Sequence, residues 1–117
     1  MDLAEAVAEV VARLTAAGIR ATGDERDINP PCVYVGPPAV AWRFGRGDYS
    51  ATFTATAVVP NSGRDIALRN LGALIETTAA ALGHVVTSAE PADYAVPDQA
   101  APLPGYRMTW TARIDQH

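Results

Sequence analysis

Lysine is missing from the chain altogether, and all nine basic residues are arginine. Together with the abundance of alanine, this is the composition that a GC-rich coding genome tends to produce, so it reads as ancestry before function. The arginines are scattered (Arg13, Arg20, Arg26, Arg43, Arg46, Arg64, Arg69, Arg107, Arg113) and the net charge is -4. Phosphate neutralisation supplies most nucleic-acid affinity and needs a basic patch. No run of basic residues is present, so specific nucleic-acid binding is not expected. Cysteine is nearly absent as well. The single Cys32 excludes an intrachain disulfide and reads as a small buried hydrophobe on a strand. No apolar stretch approaches the length of a membrane span, and Met1–Glu5 lacks the basic start and apolar run of a signal peptide. The expectation is a soluble protein made in the cytoplasm, without a membrane partner.

The groups that perform chemistry are equally scarce. There are two histidines, His84 and His117, far apart in sequence, where a zinc site wants several converging ligands. A nucleophilic pair would need Cys32 beside His84 and an orienting carboxylate. Asp24, Glu25 and Asp27 cluster around Arg26 but lack the glycine and distal glutamate of an EF-hand loop. They read as a solvated, partly neutralised turn. Gly45-Arg46-Gly47 is followed by strand residues and not by a helix whose N-terminus could cradle phosphate. Arg46-Gly47-Asp48 spells a cell-adhesion tripeptide, a coincidence at a hairpin tip. Ser62 has no partner base. Trp42, Tyr49, Tyr106 and Trp110 could form a ligand cage, yet most lie on strand faces that already need core residues. No catalytic residue, metal ligand or cofactor site is expected, and the chain does not read as an enzyme.

What is present is a clear alternation of periods. Leu3, Val7, Val10, Val11 and Leu14 recur at helical spacing, with Asp2 and Glu5 arranged like a capping box and Gly18 placed to end the helix. A short strand over Ile19–Thr22 follows. Asn29-Pro30-Pro31 then delivers an extended chain into Cys32–Val35, closed by Gly36-Pro37-Pro38. Val40, Trp42 and Phe44 form one apolar strand face, and Gly45–Asp48 make a turn into the long β-branched strand Tyr49–Val59. A second helix opens at a box-like Ser62 and Asp65. Its seam holds Leu68, Leu71, Ile75, Thr78 and Leu82, and Gly83 ends it. A strand over His84–Ser88, a proline-rich connection over Ala92–Pro104 and a closing strand from Tyr106 to Ile114 complete the chain. The order α-β-β-β-β-α-β-β predicts one α+β domain over residues 1–117. Its two helices pack on a mostly antiparallel or mixed sheet.

The opening helix ending in Ala-Gly-Ile, the segment Asn29-Pro30-Pro31-Cys32-Val33-Tyr34-Val35-Gly36-Pro37-Pro38 and the hairpin after it resemble the small tail terminator proteins of long-tailed phages infecting actinobacteria. The resemblance implies a ring, six subunits in that family, that caps the finished tail tube and joins it to the head–tail connector. The partners it implies are further copies of the chain, the major tail tube protein and the connector or stopper protein. Its place would be the phage neck, with DNA passing through the lumen without specific binding. Two segments extend beyond what a core needs, the hairpin tip and the long connection. Arg46, Asp48, Tyr49, Asp93 and Tyr94 are therefore the expected subunit or tube contacts. Competing expectations are another neck, head-closure or minor tail-completion protein, a small-ligand regulatory domain using the aromatics around Trp42 and Trp110, and an enzyme using Cys32 and His84.

Overall fold

The longest alternating segment of the sequence becomes the spine of a six-stranded mixed sheet. A computed structural model of the chain describes residues 3–42, 49–95 and 102–114. Its elements are α1 (Leu3–Ala16), β1 (Ala21–Thr22), a single 3-10 turn (Glu25–Asp27), β2 (Cys32–Val35), β3 (Ala39–Trp42), β4 (Tyr49–Val58), α2 (Arg64–Ala81), β5 (Ser88–Pro91) and β6 (Gly105–Ile114). Strand β4 is paired along its whole length with β6, from Tyr49↔Ile114 to Val58↔Gly105. The sheet runs β1-β2-β4-β6-β5, with β3 pairing β4 beside β2. Among the described strands only the β1–β2 contact is parallel. The α+β architecture, with its order α-β-β-β-β-α-β-β, is the one the periodicity predicts.

Period-two alternation decides which face is covered. Tyr49, Ala51, Phe53, Ala55 and Ala57 of β4 are buried, while Ser50, Thr52, Thr54 and Thr56 between them are half-exposed. Met108 and Trp110 continue the buried face across β6, opposite Ala55 and Phe53. The Phe53 and Trp110 rings stack with centroids 5.4 Å apart. Both helices close this face: Ala6, Val10 and Leu14 of α1 and Ala67 and Leu71 of α2 join the same cluster. The other face keeps its polar row, including a Thr52–Thr111 hydroxyl pair at 3.2 Å directly across the ladder. At one end of that face a second, smaller cluster gathers Cys32, Val58 and Leu103, with Ile28 and Tyr94 against it.

Local signals set several boundaries. Gly18 and Gly83 adopt φ values of 84° and 73° after α1 and α2, the left-handed exit that glycine makes without a Cβ clash. The box expected at Ser62 is not used: the N-cap of α2 is Gly63, with no side-chain cap bond. The box expected at Asp2 lies outside the described residues. The seam of α2 also shifts, since Leu68 is exposed and Ala67 takes the buried position. The strand expected over His84–Ser88 begins only at Ser88. His84 has a positive φ of 61°, so the chain is still turning out of the helix where the sequence looks β-like. Pairing with β6 starts when Thr87 donates its backbone N–H and its hydroxyl to the Thr109 carbonyl.

The connection over Ala92–Pro104 is partly a continuation of the β5–β6 hairpin. Ala92 donates to the Gly105 carbonyl, and Tyr94 and Leu103 exchange two backbone bonds of 2.8 Å. Residues 96–101 lie outside the description.

Candidate functional site

Strand β3 is set apart from the rest of the sheet by a bulge. Val35 pairs with Ala55 and Ala39 with Thr52. Residues 36, 37 and 38 therefore stand against 53 and 54 alone, one residue extra on the β2–β3 side. Gly36-Pro37-Pro38 occupies it, as expected where proline cannot serve a regular ladder. The extra residue changes the parity of the strand. Odd-numbered Val33 and Val35 face the helices before the bulge, and even-numbered Val40 and Trp42 do so after it.

Trp42 nevertheless lies beyond the cover of the helices and is 69% exposed. It leans on Tyr49, its cross-strand partner, with ring centroids 5.7 Å apart. Tyr49 itself is only 4% exposed, so the expected contact residue is a core residue and its neighbour offers the surface. An indole left this open withholds about 150 Å² of apolar area from burial, about 4 kcal/mol at 25 cal/mol/Å². Ala39 and Ala41 beside it are exposed as well. Among the described residues no strand pairs the outer edge of β3. That edge, Ala39-Val40-Ala41-Trp42, carries neither a charge nor a proline. The opposite edge strand, β5, carries Glu90 and Pro91, the residues that discourage edge-to-edge pairing. Its spacing places Trp42 in the core; the reach of the helices, which leaves it exposed, is not written in that spacing.

Of the other expected contacts, Arg46 and Asp48 lie outside the described residues. Asp93 and Tyr94 part company because successive residues of an extended ladder point to opposite faces. Asp93 is exposed and lines a hollow of about 430 Å³ with Asn61, Arg64, Leu68 and Tyr106 at the start of α2. Tyr94 is half-buried on the other face, 6.0 Å from the Tyr34 ring and against the Cys32–Val58–Leu103 cluster. Tyr49 and Tyr94 therefore mark opposite ends of β4, about 30 Å apart at strand rise.

The groups that chemistry would require are kept separate. Cys32 is 1% exposed on the face away from the helices. Burial pushes its thiol pKa up, opposed by smaller effects from a backbone hydrogen bond at Asn29 and from Arg20. Such a thiol yields little thiolate near neutrality. His84 is exposed at the end of α2, on the side of the sheet that the helices cover, so the sheet stands between the two. In the acidic turn, the Asp24 carboxylate accepts from Arg26 Nε, Nη2 and backbone N–H at 3.2, 3.1 and 2.9 Å. The side-chain bond from Arg26, and then its backbone bond, hold Asp24 below the usual carboxylate range. Among the described residues no three His, Cys, Asp or Glu side chains could together hold a metal ion. No helix of the described residues is long and apolar enough to cross a membrane.

An open groove of about 990 Å³ lies between α1 and the β1–β2 edge. Ala4, Val7, Ala8, Val11 and Ala12 form its helix wall, and Tyr34, Val35 and Pro37 its strand wall; Thr22, Asp24 and Arg26 close one side. Helix α1 buries Ala6, Val10 and Leu14, so Val7 and Val11, expected in the core seam, overhang this groove half-buried. No protein-family model matches the sequence, and no curated protein matches it either.

Proposed function

We propose that this chain is a structural assembly protein of the tail-terminator kind. In this reading copies of it close into a ring, six by the family likeness, that ends tail-tube growth and joins the tail to the head–tail connector in the phage neck. The observation that carries the reading is Trp42: a large apolar side chain, two-thirds exposed, on an unguarded strand edge outside the cover of the helices. Exposed aromatic anchors of this kind mark protein–protein contacts. Supporting it, the Asn29–Pro38 segment on which the family likeness rests supplies both β2 and the bulge that offsets β3. Candidate surfaces at opposite ends of β4 also suit a ring, whose neighbours meet through two different patches. The net charge of -4 suits a lumen through which DNA slides without sticking.

A small-ligand role built on the tryptophans finds less support, because Trp110 is buried and stacked on Phe53. A neck or tail-completion protein other than a terminator would use the same surfaces, and its binding partner would tell it apart.

Sedimentation of the purified chain tests the reading. The wild type is expected as a multimer of one size, and Trp42→Ala as a folded monomer, since an interface anchor of this class contributes about 2 kcal/mol or more. A wild type that stays monomeric at every concentration contradicts it.

A further inference from the structure

The register of the sheet shows which backbone groups of β3 remain open. Val59 donates to the Pro104 carbonyl and Gly36 to the Thr54 carbonyl. Odd residues of β4 therefore bond towards β6, and even residues towards β2 and β3. On β3, Ala39 and Ala41 stand opposite Thr52 and Ser50, so their backbone groups bond inward. Val40 and Trp42 turn their N–H and C=O groups to the outer edge, which no strand among the described residues pairs. The opposite edge differs. Ala92 donates inward to the Gly105 carbonyl, which turns Pro91 of β5 outward, where it offers no donor and its ring hinders a partner strand. We infer that β3 pairs antiparallel with β3 of a second copy, across a twofold axis at Ala41. This pairing goes beyond the ring reading and takes from it only Trp42 as a contact residue.

The edge is complementary to itself. With Val40 opposite Trp42 of the second copy, each open N–H meets an open C=O, and the Val40 and Trp42 groups of both chains are all used. The residues that turn their backbone outward are also those whose side chains lie on the helix side, where Val40 packs on the core and Trp42 leans on Tyr49. This register therefore sets each indole across from a valine of the second copy, and the apolar face continues from one sheet into the next. A twofold contact also brings residues close to their own counterparts, so a charged edge would repel itself. Ala39-Val40-Ala41-Trp42 carries no charge, and its exposed outer side is alanine alone. Four residues a side bury less than the roughly 1,200 Å² at which stable interfaces begin, so the pair separates on dilution. A twofold pair is closed; it holds the free chain and opens before β3 can serve a ring.

Cross-linking of the full chain tests the pairing, with the native Cys32 thiol buried out of reach. In Ala41→Cys the substituted residue meets its own counterpart at the axis, about 4.5 Å away between Cα atoms and within disulfide range. In Ala39→Cys, equally exposed, the two counterparts lie about 13 Å apart, four residues of strand. Mild oxidation is expected to give a disulfide-linked dimer of the first variant and not of the second. Ala41→Lys and Ala41→Glu are each expected to weaken pairing about fivefold in sedimentation, and mixing them is expected to restore it, because unlike charges then meet at the axis. Equal cross-linking at both positions, none at either, or no rescue on mixing overturns the inference. Rings on tube ends together with any of those results leave the assembly reading standing alone. Linked pairs of Ala41→Cys from a chain that ignores tube ends leave the pairing standing and remove the assembly reading.

Discussion

Thr78 shows how much a single side chain can withhold from stability. It is fully buried in α2, and among the described residues its hydroxyl has no hydrogen-bond partner. Thr15 and Thr77 donate theirs to the carbonyls of Val11 and Ala73, four residues back. A buried hydroxyl without a partner costs desolvation that nothing returns. Thr78→Val keeps the shape and removes the polar atom, so it is expected to stabilise the fold by about 1 kcal/mol. A higher urea midpoint at unchanged slope would show it; a lower midpoint would mean that the hydroxyl is satisfied. The burial of Thr78 was legible in the sequence, since it falls in the apolar seam of its helix. Its missing bond was not, because that depends on rotamer and neighbours. Trp42 is the converse case: its strand and face follow from alternation, but its exposure follows from where the helices stop.

Among the elements, β6 shows why long-range pairing outranks local preference. Gly105 sits where β6 enters the sheet, and a Cβ there would lie 2.7 Å from the Ala92 carbonyl oxygen and 3.0 Å from that of Ala57. Both are backbone atoms on neighbouring strands and neither can swing away. Gly105→Ala is therefore expected to cost about 1–3 kcal/mol, the range for overpacking, read as a lower midpoint in the same urea titration. An unchanged midpoint would mean that the strand entry is loose. The two helices, the hairpin strands and the closing strand were legible because each carries a strong period over many residues. Strand β5 was not. Ser88-Ala89-Glu90-Pro91 has poor β propensity and becomes a strand because β6 offers a ladder there, while His84–Thr87, richer in β-branched residues, is spent leaving the helix. The bulge at Pro37–Pro38 was visible only as a break, because its offset depends on the register of both halves against β4.

At the scale of the whole molecule, the chain is elongated, 50 × 29 × 23 Å with a radius of gyration of 14.8 Å, against about 13 Å for a compact domain of this length. The helices cover only part of the sheet: Val40 of β3 packs against the core, while Trp42 at the end of the strand stays exposed. In the assembly reading proposed above, this surface supplies contacts between copies. Sequence alone supplied the family likeness and the expectation of two projecting segments, whose tips lie outside the described residues. The decisive measurement is electron microscopy of the purified chain mixed with tail tubes of a long-tailed actinobacterial phage. Rings of one size seated on tube ends are the expected result. Single subunits that ignore the tubes would contradict it.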